Sequence, residues 1–117
     1  MRIERELMRG AGPVAVMQLL ARKEMYGYEI ADALAQRSDG VLDMGHSTLY
    51  PLLYNLEEKG LITSREAESE SGRFRRYYAL TTAGRKTLTA QREQWRALGR
   101  AFRELGILEP ASDPSAG

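Results

Sequence analysis

Four leucines near the middle of the chain constrain its fold more than any other feature. They follow one another at the spacing i, i+3, i+4 and i+7, as Leu49, Leu52, Leu53 and Leu56. This spacing predicts a helix with one apolar stripe, which Gly60 ends. Polar and aromatic residues occupy its other face, namely His46, Ser47, Tyr50, Pro51, Tyr54 and Asn55. Because proline is normally confined to the first turn, the helix is expected to start late or to bend at Pro51.

Two further helices are predicted before this one. Pro13 suits the first turn of a helix over residues 13–22, and an amphipathic segment around Leu7 either joins that helix or meets it at a bend. Small alanines and apolar residues four apart predict a second helix over 27–38. A brief extended piece, Val41–Leu42, is expected to follow.

A hairpin and a last helix are predicted after the leucine stripe. Residues 61–65 and 74–80 have strand character, and the polar segment 66–72 between them ends in a turn signal. Thr81 can cap a final helix through about Leu105. The predicted fold is therefore mainly α with a β-hairpin wing (α+β), a winged helix-turn-helix with an added C-terminal helix. In domain terms this gives 1–80 for the winged helix-turn-helix, 81–106 for a dimerisation helix and 107–117 for a disordered tail.

Composition excludes several classes of function. The 117 residues suit one domain, and the absence of cysteine excludes disulfides, thiolate zinc sites and cysteine nucleophiles. His46 is the single histidine, and no phosphate-binding loop is visible. We expect no enzyme activity, no cofactor and no metal. The longest nearly apolar run, Val14–Ala21, is too short to span a membrane. The charged start predicts no signal peptide, so a cytoplasmic protein without a membrane partner is expected.

The leucine-striped helix is a candidate DNA-recognition helix. The major groove admits one α-helix, whose first residues meet the base edges. His46, Ser47 and Thr48 supply small polar groups there, and the helix start offers free N–H groups to a phosphate. Tyr50 and Tyr54 add hydroxyl groups and flat apolar surface. The competing interpretation is a surface helix whose tyrosines pack on a neighbouring element.

Three arginines near the hairpin tip form a second signal. Arginine suits phosphate oxygens and the narrow minor groove. Arg73 and Arg75 are expected to contact DNA, and Arg76 either joins them or pairs with Glu66 or Glu68 across the hairpin. Residues 61–110 carry ten basic against six acidic groups, whereas 1–60 carry seven against nine. A solvated, salt-bridged wing remains the alternative.

The last helix carries an apolar seam at heptad spacing. Its members are Leu88, Trp95, Leu98, Phe102 and Leu105. A narrow seam of this kind usually meets a partner helix, so a homodimer is expected, although the seam could also pack on its own domain. Trp95 is the single tryptophan, and two copies near a symmetry axis would offer a stacking platform to a planar ligand. An ordinary interface tryptophan is the simpler interpretation.

Four segments together resemble the PadR family of bacterial transcriptional regulators. They are YGYEI at 26–30, TLYPLL at 48–53, LEEKGLI at 56–62 and GRFRRYYALT at 72–81, followed by Gly84. The resemblance covers about residues 3–105. It also accounts for Pro51, which is a usual family residue within the recognition helix.

The resemblance implies a homodimer that binds a palindromic operator in double-stranded DNA and represses a neighbouring operon. Release by a small hydrophobic or aromatic effector is implied as well. In the smaller subgroup, which has a single C-terminal helix, a tryptophan matching Trp95 lines a central pore. Matched positions that would line it too are Leu7, Ala11, Val14, Gln18, Leu88 and Gln91.

This chain departs from the family pattern at three positions. Gly45-His46 stands where the family often has Ser-Pro, Glu66 replaces an aromatic residue, and Gly99 replaces an acidic residue found in some multidrug sensors. The departures put base preference and a preference for cationic drugs in doubt. A winged-helix adaptor that binds protein instead of DNA is the alternative function, although such a protein would not need three arginines at the wing.

Overall fold

The computed structural model describes residues 1–109 as four helices and one small sheet. The helices are α1 (Arg5–Leu20), α2 (Gly27–Arg37), α3 (His46–Glu58) and α4 (Thr82–Glu104). The strands are β1 (Met25–Tyr26), β2 (Ile62–Glu68) and β3 (Phe74–Leu80), and they form an antiparallel sheet in the order β1-β3-β2. This arrangement confirms the predicted α+β winged-helix fold.

The N-terminal helix is one continuous element. The helix starts at Arg5 and not at residue 13, because the amphipathic segment around Leu7 joins it, which is one of the two predicted alternatives, and α1 runs through Pro13. Packing explains the difference: Met8 is buried, and a Cβ on Gly12 would lie 2.8 Å from Leu52 Cδ1. The absence of a side chain at Gly12 thus lets α1 cross α3 closely.

The sheet is larger than the predicted hairpin. β2 extends to Glu68, three residues beyond the predicted end, and its register runs from Ile62 opposite Leu80 to Glu68 opposite Phe74. Strand β1, which the sequence did not predict, pairs with β3. The supposed extended piece Val41–Leu42 is a turn, because both amides donate to Ser38.

The leucine stripe of α3 forms the centre of the core, as predicted. Leu49 and Leu53 are fully buried and Leu56 nearly so, among side chains from every helix. Pro51 lies inside the helix and does not end it. Its ring removes the hydrogen bond to the carbonyl of Ser47, which is on the exposed side of α3, where solvent can hydrate it.

A tight joint fixes the start of α4 to the end of α3. Thr81 Oγ1 donates to the carbonyl oxygens of Gly60 and Leu61, at 2.7 and 3.0 Å, and accepts from the amide of Gly84 at 2.9 Å. This confirms Thr81 as the N-cap. A Cβ on Gly84 would lie 2.0 Å from the Leu61 carbonyl oxygen, so only glycine allows this approach.

The second half of α4 leaves the body of the domain. Beyond Gln91 its residues are exposed except Gly99 and Phe102, which are half-buried. The helix ends in a turn in which the amides of Ile107 and Leu108 donate to Phe102 O. The predicted disorder of the tail 107–117 stays a prediction, and residues 110–117 lie outside the described part of the chain.

Candidate nucleic-acid interface

The outer face of α3 brings together all of its predicted contact residues. The opposite face of the helix is buried except for the half-buried Leu52, and the exposed residues are His46, Ser47, Thr48, Tyr50, Pro51 and Tyr54. Gly45 is the N-cap and provides no side-chain oxygen for the first-turn amides. The start of α3 is thus open to an anionic group from outside the domain.

Three near-parallel rings stand at the start of α3. The His46 ring lies 5.5 Å from the Tyr50 ring and 6.2 Å from the Tyr28 ring, with interplanar angles of 16° and 28°. Helical spacing of four residues places Tyr50 beside His46, and Tyr28 comes from the first turn of α2. A Cβ on Gly27 would lie 2.6 Å from Tyr50 Oη, so this glycine makes room for the stack.

Sequence reasoning missed Tyr28 as a site residue. It is 63% exposed and stands beside the predicted recognition residues. The available signal was its place in the motif Tyr26-Gly27-Tyr28, at the start of the helix that precedes α3. Periodicity could not reveal that two helix starts come together here.

A chain of polar contacts connects α3 to the inner face of the wing. Ser64 Oγ donates to Glu57 Oε2 at 2.6 Å, and Arg76 Nη1 donates to Ser64 Oγ at 3.0 Å. Arg76 Nη2 also forms an ion pair with Glu66 at 3.2 Å, which is one of the two pairings predicted for it. Tyr78 is buried next to this chain, and desolvation raises the pKa of its hydroxyl.

The outer face of the wing holds a ladder of arginines and tyrosines. The Arg75 guanidinium lies 4.1 Å from the centre of the Tyr26 ring, which meets the Tyr77 ring edge-to-face at 5.8 Å. Arg65 lies 5.5 Å from the centre of the Tyr77 ring and pairs with Glu24. The hydrogen bond and the charge of Glu24 raise the pKa of Arg65.

The three predicted wing arginines therefore have different surroundings. Alternation along β3 puts Arg75 and Arg76 on opposite faces, with Arg76 toward α3. Arg73 lies in the turn before β3 and is exposed. Within residues 1–109, no ion pair or ring contact engages Arg73. The DNA contacts of all three arginines remain predictions.

Other kinds of site find little support in the described residues. Among residues 1–109, no three His, Asp or Glu side chains come together as a metal site would require. Over the same range, no helix has both the length and the apolar character to cross a bilayer.

A family profile matches most of this fold. The profile described as "Transcriptional regulator PadR-like family" matches residues 16–90, which include α2, α3 and the wing. The chain belongs to the PadR-like family. This membership confirms the resemblance and the expectation that the chain is a transcriptional regulator and not an enzyme.

Individual relatives agree with the PadR-like assignment. The transcriptional regulator Rv3488 of Mycobacterium tuberculosis is 35% identical over 96 residues, covering 82% of this chain and 86% of the relative. The crystal structure of a PadR family regulator from Eggerthella lenta is 33% identical, with a TM-score of 0.74, and the match covers 86% of this chain and 85% of that one. Bacillus subtilis PadR in complex with operator DNA is 27% identical, with a TM-score of 0.63, over 69% of this chain and 46% of that one.

The seam of α4 in this PadR-like protein divides into two parts. Leu88 is buried in the subunit's own core, which agrees with the alternative that the seam packs on its own domain. Trp95, Leu98 and Leu105 are exposed at 41, 39 and 74%, and Phe102 is half-buried. Four of the five seam residues therefore keep apolar surface that the subunit does not cover.

The residues matched to the PadR-like pore are not gathered within one subunit. Helical spacing puts four of them along one stripe of α1, namely Leu7, Ala11, Val14 and Gln18. A groove of about 1330 Å³ lies between α1, α3 and α4, and it is lined by Gln91 and Trp95 but by none of the other five matched residues. A shared pore would need a second subunit.

Proposed function

We propose that this protein represses transcription by binding operator DNA as a homodimer, with α3 of each subunit in a major groove. One observation carries the proposal: the face of α3 that points away from the core exposes polar and aromatic side chains together with Pro51, and the amides of His46 and Ser47 have no side-chain cap. The operator complex of Bacillus subtilis PadR supports the same use of the fold in a relative.

The dimensions of α3 suit the groove. The major groove is about 12 Å wide and accepts the N-terminal end of a helix. Ser47 and Thr48 are short enough to approach base edges, while Tyr50, Pro51 and Tyr54 extend the contact along the helix. The rings of Tyr28, His46 and Tyr50 stand side by side at the start of α3, at the end of the helix that would enter the groove.

A dimer through α4 supplies the second half of the interface. In the seam from Trp95 to Leu105, three large apolar side chains are exposed, and a second subunit would remove them from water. In this proposal residues 1–80 bind DNA and 81–106 dimerise. The two recognition helices would then meet half-sites about one helical turn apart, ~34–36 Å. Access to chromosomal DNA extends the proposal to a cytoplasmic location.

Release by an effector is the last part of the proposal. Two copies of Trp95 near the symmetry axis would offer flat apolar surface to a small aromatic or hydrophobic molecule. Such a molecule releases DNA only if it binds one spacing of the recognition helices more tightly than the other. The stripe of α1 from Leu7 to Gln18 would form the walls of the shared pore.

Selection from a randomised duplex library tests DNA binding. The wild-type protein should enrich an inverted repeat, and its affinity for that duplex should fall steeply with salt because neutralised phosphates release counterions. Ser47→Glu should abolish this binding by placing a carboxylate against the bases. Gln36→Glu is the matched control. It adds the same charge at an exposed position near the C-terminal end of α2, outside the recognition face of α3, and should retain affinity. Failure to enrich any duplex would favour the adaptor function.

Trp95 makes the effector step measurable. Because it is the single tryptophan, its emission reports binding of planar aromatic compounds directly. A compound that quenches this emission should also weaken binding to the selected duplex. Quenching with unchanged DNA affinity would contradict effector release while leaving the DNA-binding proposal intact.

A further inference from the structure

Phe74 at the wing tip is the most exposed aromatic side chain among residues 1–109. It is 75% exposed, more than Tyr54 at 64% or Tyr28 at 63%. Phenylalanine has no polar atom for solvent to hydrate, unlike the two tyrosines. The exposed Phe74 ring therefore does not contribute to the packing of the core.

The backbone holds this ring in a defined place. Phe74 is the first residue of β3 and pairs with Glu68, the last residue of β2. The turn that joins them is closed by hydrogen bonds from Ser69 N to Arg73 O at 2.8 Å and from Gly72 N to Ser69 O at 2.9 Å. Gly72 has a φ of 83°, which suits glycine at this corner.

Phe74 points to the same side of the sheet as α3. Alternate residues of β3 share a face, so Phe74 lies in line with Arg76 and with Tyr78, which is buried beneath α3. Four residues of strand put Phe74 about 13 Å further from the core than Tyr78. Tyr50 and Tyr54 line the cleft above Arg76 and Tyr78, so α3 and the wing tip face a common side.

Most arginines of the wing already contact another side chain. Arg65 and Arg76 form ion pairs, and Arg75 covers the Tyr26 ring. The hairpin also carries three exposed carboxylates, those of Glu66, Glu68 and Glu70. The tip therefore presents one cation, Arg73, and one apolar ring, Phe74, to a polyanion.

We infer that Phe74 enters the minor groove beside each half-site and contacts it through its ring. The inference rests on the proposed DNA-binding function, which places α3 in the adjacent major groove. Proteins commonly place apolar side chains such as phenylalanine in the minor groove, where they contact sugars and base steps. Arg73, next to Phe74, is suited to the phosphates at the groove edge.

Salt dependence separates the apolar contact from the ionic one. Phe74→Ala should weaken binding to the selected duplex about tenfold while leaving the slope of log K against log salt unchanged. Arg73→Ala should reduce that slope by about one unit. Phe74→Leu, which keeps an apolar side chain, should recover most of the lost affinity. Because Phe74 is exposed, these variants should keep the wild-type circular dichroism spectrum.

Modified bases test which groove is involved. Replacing adenine with 2,6-diaminopurine in the flanking base pairs adds an amino group to the minor groove and leaves the major-groove edges unchanged. This change should weaken wild-type binding, and Phe74→Ala should remove that sensitivity. Equal sensitivity in both proteins, or wild-type affinity for Phe74→Ala, overturns the inference. Ser47→Glu then shows whether DNA binding itself still holds, since its loss of affinity does not depend on the wing.

Discussion

Helices α3 and α4 carry similar apolar patterns and use them differently. Both repeat large apolar residues at spacings of three, four or seven. In α3 the stripe is covered by its own subunit, with Leu49 and Leu53 fully buried. In α4 only Leu88 is covered in this way, and Leu98 keeps 39% of its surface exposed. Periodicity therefore identifies the face that needs a partner, whereas the position of the helix in the fold decides where the partner comes from.

The largest expected effect belongs to the covered stripe. Leu53→Ala should lower the free energy of unfolding by about 3 kcal/mol, because it leaves a cavity in a fully packed core. Chemical denaturation measures this loss. Leu53→Met keeps the volume and should cost less than about 1.5 kcal/mol. A loss below 1 kcal/mol for the alanine variant would mean that the core around α3 collapses readily.

The joint between the two helices gives the next largest effect. Gly84→Ala should cost about 2 kcal/mol of stability, because the new Cβ meets the Leu61 carbonyl oxygen at 2.0 Å and the backbone must shift. Gly99→Ala is its control in the same helix, since its nearest neighbour is Arg103 Nη1 at 3.7 Å. That variant should gain about 0.5–1 kcal/mol from helix propensity. Thermal unfolding distinguishes them, and equal effects would contradict the close contact.

Local pattern was enough to predict most of the fold. The leucine stripe, the cap at Thr81 and the two long strands each depend on residues close together in the chain. Strand β1 was missed because two residues, Met25 and Tyr26, are too few to show alternation. Glu66 and Glu68 were taken for turn residues, yet cross-strand pairing keeps both in β2.

The candidate site was harder to predict because it depends on tertiary contacts. The outer face of α3 could be identified from the sequence, since it is the complement of the stripe. Alternation along β3 is enough to separate Arg75 from Arg76, but the position of Arg75 over the Tyr26 ring needed the pairing of β1 with β3. The stack of Tyr28 on His46 needed the angle between α2 and α3.

An added charge on the exposed seam of α4 should weaken the proposed dimer, whereas the buried stripe of α3 is weakened by a cavity. Leu98→Glu should raise the dissociation constant of the proposed dimer at least about tenfold, because the carboxylate would be desolvated against apolar surface. Analytical ultracentrifugation measures this shift, and the subunit should keep its fold because Leu98 is exposed. Ala97→Glu adds the same charge beside the seam. If both variants dimerise equally well, α4 is not the interface.

The smallest effect concerns pH and lies at the boundary between α3 and the wing. Burial raises the pKa of Tyr78 above its ordinary value of 10.0, so the folded state holds this proton more tightly than the unfolded state. Its contribution to stability is complete below about pH 10 and is lost as the pH rises through the higher pKa of the folded protein. Tyr78→Phe should therefore flatten the fall in stability above pH 10 by less than about 1 kcal/mol. Unfolding curves recorded from pH 8 to 11 measure the difference.

The hydrogen bonds around Thr81 have a mechanical consequence. A helix of 23 residues is about 34 Å long, so a tilt of a few degrees at its base moves its far end by roughly 2–3 Å. The hydrogen bonds to Gly60 and Leu61 fix that base to the end of α3, since Gly60 follows the C-cap Lys59. A displacement of the free end of α4 would therefore act on the end of α3 through these hydrogen bonds.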